Sequence, residues 1–132
     1  QAVMVLGRKL GFRSINLDLI YGLPKQSVAT MQATLSTVLQ WRPERIALYS
    51  YAHLPERFMP QRRIETSDIP APAEKLAMLK LAVTTLLDAG YVYIGMDHFA
   101  LAHDDLAKAF KQKTLQMLNL QGSLLIIIHN LA

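Results

Sequence analysis

The sequence predicts an α/β fold in which parallel strands are joined by crossover helices, and two observations carry that expectation. One is a pair of like segments, Ser14 to Pro24 (SINLDLIYGLP) and Arg45 to Pro55 (RIALYSYAHLP), each an apolar run that ends in a polar, turn-forming mouth. The other is the order of periodic segments along the chain: helix, strand, helix, strand, loop, helix, strand, helix. Such alternation means a parallel sheet with helices packed over it, either part of a barrel or an open sheet. In both, the carboxyl ends of the strands carry the chemistry.

Val3, Leu6 and Leu10 fall at helical spacing, with Arg8 and Lys9 in the last turn and Gly11 as a C-cap. The chain opens on Gln1 inside this helix and reads as a piece of a longer protein. In the first strand Ile15, Leu17, Leu19 and Ile20 are apolar, while Gly22 and Pro24 stop the run. Ser27 caps a helix through Gln40 with Met31, Leu35, Val38 and Leu39 on one face, and Pro43 ends it. The stretch from Ile15 to Tyr51 is then a β-α-β unit. His53 to Ala71 is an irregular loop with three prolines and Arg57, Arg62 and Arg63. A helix follows from Pro72 to Ala89, with Leu76, Leu79, Val83, Leu86 and Leu87 inward and Gly90 as its cap. Tyr91 to Gly95 is a third strand whose exit is Met96-Asp97-His98-Phe99, and a last helix runs from Asp104 to about Gln116. Met117 to Ala132 breaks the pattern, although Leu124 to Ile128 has the composition of a buried strand.

The 132 residues are 52% hydrophobic, which supports a packed core. Fourteen Lys and Arg against ten Asp and Glu leave +4 with no long basic block, so nucleic acid is not an expected partner. The longest apolar run, Leu124 to Ile128, is far short of the roughly 20 residues of a membrane helix. No membrane partner and no signal peptide are read, and a cytoplasmic monomer is expected. The absence of cysteine removes disulfides, thiol nucleophiles and thiolate ligands for zinc or iron–sulfur clusters from this stretch.

Asp18 is the odd residue of the first strand, because a carboxylate in an apolar run must be hydrated or partnered. Either it holds a ligand's amine or ribose hydroxyls, or it pairs with an arginine. His53, Asp97 and His98 lie at strand exits and are of metal-ligating type, but their spacing is not diagnostic. Arg57, Arg62 and Arg63 either clamp an acidic substrate or form a solvated loop. Gly22 belongs to no GxGxxG or phosphate-loop pattern.

Several motifs then occur in order: YGLPKQ after NLDLI, YSYAHLPERF with QRRI beyond it, the PAPAEKLAML helix, and GYVYIGMDHFA. From about Gly11 to Leu106 they resemble the oxygen-independent coproporphyrinogen III oxidases, radical S-adenosylmethionine enzymes of haem biosynthesis. The resemblance implies a partial (β/α) barrel over residues 1–116 and the oxidative decarboxylation of two propionates of coproporphyrinogen III to vinyl groups, giving protoporphyrinogen IX. It implies S-adenosylmethionine and a 4Fe-4S cluster as cofactors and a porphyrinogen as substrate. On the family pattern Asp18 and Ala52 contact S-adenosylmethionine. The CxxxCxxC segment that holds the cluster is absent here, so no catalytic residue or metal ligand is assigned and the piece alone is expected to be inactive. After MDHFA the family continues to an asparagine, aromatic, glutamine, glycine segment that Gln121-Gly122 only faintly resembles, which marks residues 117–132 as a divergent or frame-disrupted tail. The competing readings are a non-catalytic remnant or haem-binding relative, and a metal-dependent barrel hydrolase using Asp18, His53, Asp97 and His98.

Overall fold

A computed structural model describes residues 2–12, 14–104, 107–108 and 123–128, the last group as backbone. Strand β1 (Ser14–Tyr21) forms because apolar residues alternate: Ile15, Leu17 and Leu19 are buried, while Asn16, Asp18 and Ile20 on the other face are half-buried. It pairs in parallel with β2 (Arg45–Ser50), from Asn16 opposite Arg45 to Tyr21 opposite Ser50. The crossover is helix α2 (Val28–Trp41), whose cap is reciprocal. The Thr30 N–H donates to Ser27 Oγ at 3.2 Å and the Ser27 N–H donates to Thr30 Oγ1 at 2.8 Å. Arg42, in the left-handed conformation at φ 48°, closes the helix before Pro43.

Helix α1 (Ala2–Lys9) precedes β1, and α3 (Pro72–Asp88) follows two short 3-10 turns at Met59–Arg63 and Thr66–Asp68. The two longer helices exist where expected, and on α3 the expected Leu86 is buried while Leu79 and Val83 pack, partly buried, against the core. Met78, Ala82 and Leu86 are buried, whereas Leu76 and Leu87 are 51% and 47% exposed. Likewise α1 buries Met4 and Gly7 and leaves Val3, Leu6 and Leu10 outside. Each helix carries two apolar stripes, and periodicity alone does not say which one meets the core. Met31, Leu35 and Val38 of α2 and Met78, Ala82 and Leu86 of α3 pack on Leu17, Leu19, Ile46 and Leu48 over one face of the sheet.

The third strand, β3 (Tyr91–Gly95), does not simply exit at Met96 to Phe99. Met96 and Asp97 both adopt left-handed backbone, φ 49° and 62°, and turn the chain into β4 (His98–Leu101). β4 is antiparallel to β3 and to β2, which corrects the expectation of a wholly parallel sheet. The return strand was invisible because such turns are usually announced by Asn-Gly or Asp-Gly, not Met-Asp. β5 (Ser123–Ile128) lies within the stretch expected to break the pattern, and pairs in parallel with β1 from Ser14–Ser123 to Leu19–Ile128. The sheet order is β3-β4-β2-β1-β5, and the two antiparallel pairings of β4 leave β3 running with β1, β2 and β5. The helix expected from Asp104 to about Gln116 lies outside the described residues apart from Asp104, Ala107 and Lys108.

Polar side chains tie down the amino ends of the strands. The buried Glu44 carboxylate accepts from Arg8 Nη1 at 2.6 Å and from the Ile15 N–H at 2.7 Å, and Arg8 Nη2 donates to the Arg42 carbonyl at 2.9 Å. Asp104 accepts from Arg45 Nε at 2.8 Å and Ser14 Oγ at 3.2 Å. Replacing Glu44 by Ala removes both acceptors and orphans a buried N–H, so the denaturant midpoint should fall by the equivalent of about 1–3 kcal/mol, with Glu44→Gln recovering part of the loss.

The Tyr91 hydroxyl donates to the Pro43 carbonyl at 2.6 Å. Burial, reinforced by Glu44 and opposed by Arg42 and Arg8, pushes its pKa from 10.0 up to about 12. The native state therefore holds the phenolic proton more tightly than the unfolded chain. The stability this provides is complete below pH 10 and is lost as pH rises towards about 12. Denaturant melts across that window should show a smaller alkaline loss for Tyr91→Phe than for the unmodified chain.

Candidate functional site

Strand register decides which side chains meet. Asp18 of β1 is opposite Ala47 of β2, and Ala47 is opposite His98 of β4, so the three form a row across the sheet. By alternation their side chains, and that of Tyr49, belong to the face turned away from α2 and α3. Ala47, between Asp18 and His98, is small and buried. The Tyr49 ring stands edge-on to His98, with centroids 6.3 Å apart at 87°. The Leu48 N–H donates to the Asp97 carbonyl at 2.8 Å, which carries the pairing of β2 into the Met96-Asp97 turn and brings Asp97 to the same region. Partial burial raises the Tyr49 pKa above its ordinary 10.0, and the negative charges of Asp18 and Asp97 raise it further.

Asp18 does not sit at the carboxyl end of its strand, as the sequence suggests, but inside it, with Leu19, Ile20 and Tyr21 beyond. Half-burial explains how the carboxylate is tolerated there. Ala52 is exposed and lies past the end of β2, on a turn that starts where the Tyr51 N–H donates to the Tyr21 carbonyl at 2.8 Å. Asp18 and Ala52 therefore share the carboxyl half of one sheet at different heights, separated by about 16 Å of extended chain between the level of Ala47 and Ala52.

Two long side chains hold that turn. Lys75 Nζ of α3 donates to the Tyr51 carbonyl at 2.8 Å, and Gln61 Nε2 donates to the Ala52 carbonyl at 3.0 Å while its Oε1 accepts the Leu54 N–H at 2.6 Å. The sequence reading missed Lys75, Gln61 and Tyr49. The signal for Tyr49 was present: two residues beyond Ala47, it falls on the Asp18 face once the strands are in register. His53 pairs with the Tyr51 hydroxyl at 3.3 Å, beyond the level of Asp97 and His98. Among the described residues no three His, Asp or Glu side chains gather as a metal-binding group, so the hydrolase reading lacks its site. Arg57, Arg62 and Arg63 are exposed, and Arg62 Nε donates to the Pro55 carbonyl at 3.1 Å. On the helix side, Leu48, Leu79, Val83, Leu87, Tyr93 and Phe99 line an apolar cleft of about 350 Å³ with Asp97 at its polar end.

Fold and site define an α/β protein that presents a carboxylate, an aromatic ring and an exposed turn along the carboxyl half of neighbouring parallel strands. No protein-family model matches the chain. It is 52% identical over 122 residues to an oxygen-independent coproporphyrinogen III oxidase of Pseudomonas aeruginosa and 44% identical over 121 residues to that of Escherichia coli, in each case across 92% of this chain and 26% of the relative. Among solved structures, coproporphyrinogen III oxidase (HemN) of Escherichia coli, described as a radical SAM enzyme, superposes with a TM-score of 0.82 at 40% identity, covering 95% of this chain and 30% of that one. The chain is thus a relative of the oxygen-independent coproporphyrinogen III oxidases and spans about a quarter of their length. In an NMR titration of isotope-labelled tyrosine, Tyr49 should ionise above 10.0, and Asp18→Asn should lower its pKa without returning it to that value, because burial remains.

Proposed function

We propose that this chain forms part of the S-adenosylmethionine site of a coproporphyrinogen III oxidase of the oxygen-independent type, within a partial (β/α) barrel. The reaction is the oxidative decarboxylation of two propionate side chains of coproporphyrinogen III to vinyl groups. The observation that carries this reading is the shared carboxyl half of β1 and β2, with Asp18 on one face and the Ala52 turn at the rim, in a chain 52% identical to such an oxidase. Asp18 supplies an acceptor for ribose hydroxyls or an ammonium group, and Tyr49 beside it offers a ring face to an apolar or aromatic moiety. Ala52 is small and exposed, and its N–H is available as a donor at the rim. S-adenosylmethionine fits this set of donors and acceptors. A 4Fe-4S cluster does not, because the chain contains no cysteine to give it thiolates. No helix among the described residues is long and apolar enough to cross a membrane.

Asp18→Asn keeps the shape of the side chain and removes its charge. Loss of a charge-assisted hydrogen bond, about 1.5–3 kcal/mol, should weaken S-adenosylmethionine binding by roughly ten- to a hundredfold in isothermal titration of a complete oxidase that contains this chain. A parallel denaturant melt should show little change. Unchanged affinity with a large drop in midpoint would make Asp18 a structural residue and overturn the assignment.

A further inference from the structure

We propose that Lys75 and Gln61 are positioning residues that set the direction of the Ala52 peptide groups for ligand binding. The inference rests on the assignment of Ala52 to the S-adenosylmethionine site, and goes beyond it by naming what holds that backbone in place.

Beyond Tyr51 the strand ladder ends, and the next residues have no regular partner strand to fix their orientation. A peptide unit is planar and trans, so fixing its carbonyl fixes the attached N–H in the opposite direction. Lys75 Nζ holds the Tyr51 carbonyl at 2.8 Å and thereby turns the Ala52 N–H away from α3. Gln61 Nε2 holds the Ala52 carbonyl at 3.0 Å and in the same way sets the His53 N–H. Through Oε1 and the Leu54 N–H at 2.6 Å, Gln61 also closes the turn on itself. Two successive peptide planes are thus clamped by side chains from outside the turn, one from α3 and one from the 3-10 turn at Met59–Arg63.

The path of Lys75 is specific. Its ammonium lies 5.9 Å from the centroid of the Tyr21 ring, and its stem runs over Gly22. A Cβ on Gly22 would stand 2.8 Å from Lys75 Cε, so the absence of a side chain there admits the lysine. Gly22 also has φ +82°, which disfavours any replacement. The half-buried Lys75 is therefore built into the end of β1 and is not a solvated surface cation.

The test is isothermal titration of S-adenosylmethionine into a complete oxidase that contains this chain and into its Lys75→Met, Lys75→Arg, Gln61→Leu and Asp18→Asn variants, each with a denaturant melt. Lys75→Met and Gln61→Leu should weaken binding by about three- to tenfold through loss of a fixed backbone direction, with midpoints close to the unmodified oxidase. Lys75→Arg, which keeps a donor, should recover most of the affinity. Weakened binding for Asp18→Asn with unchanged binding for Lys75→Met and Gln61→Leu would overturn this proposal while leaving the site reading intact. Loss of midpoint with unchanged affinity would make Lys75 and Gln61 structural residues and overturn it equally. A complete oxidase containing this chain that binds no S-adenosylmethionine would overturn both readings.

Discussion

The parallel pairing of β1 with β2 is the constraint on which the rest depends. Six residues of each strand are in register, and side chains alternate with a period of two. Leu17, Leu19, Ile46 and Leu48 are therefore committed to the helices, and Asp18, Ala47 and Tyr49 to the other face. A slip of one residue would send Asp18 into the apolar core beneath α2 and α3, where an unpaired carboxylate is costly. The same register that builds the core thus isolates the carboxylate from it. It also brings Tyr51 level with the end of β1, so that the turn carrying Ala52 begins at the rim.

Much of this order was legible because it depends on local chemistry. The Ser27 cap, the stop at Pro43, the first-turn proline of α3 and the alternation in β1 each act within a few residues, and the elements they mark are where the sequence puts them. The facing of α1 was not legible, and that of α3 only in part, since each helix is apolar on two sides and only tertiary packing chooses between them. β4 was hidden for another reason. Its turn is made by Met96 and Asp97 in left-handed conformations that residues of this kind adopt at a cost, so no local signal announced it. Asp18 stood out as a carboxylate in an apolar run, its cofactor role and Ala52 were named through resemblance, and Tyr49, Lys75 and Gln61 needed coordinates because their roles arise from register and from contacts distant in sequence.

The two edges of the sheet are organised in contrasting ways. At the amino edge, Glu44 with Arg8 and Asp104 with Arg45 and Ser14 join separate elements through charged groups that are mostly buried. Losing one partner there leaves a polar group stranded, which makes this edge a matter of folding. At the carboxyl edge the comparable polar bonds run from side chain to backbone carbonyl, from Lys75 and Gln61 to Tyr51 and Ala52. These bonds end on main-chain carbonyls of the turn and not on a charged partner.

That contrast bears on why the strained turn persists. Non-glycine residues in the left-handed region survive where surrounding contacts over-determine them. Here the Asp97 carbonyl is claimed by the Leu48 N–H, and Tyr93 packs on Phe99 across the hairpin with ring centroids 5.2 Å apart. The turn is held by β2 on one side and by its own hairpin on the other. In return it places an acidic residue beside Tyr49, whose pKa is raised by Asp97 as well as by Asp18. An Asn-Gly turn would close the same hairpin with less strain but would leave Tyr49 facing a single carboxylate. The strain at Met96-Asp97 is therefore coupled to the electrostatics of the face that carries Asp18, and both follow from β4 folding back between β3 and β2.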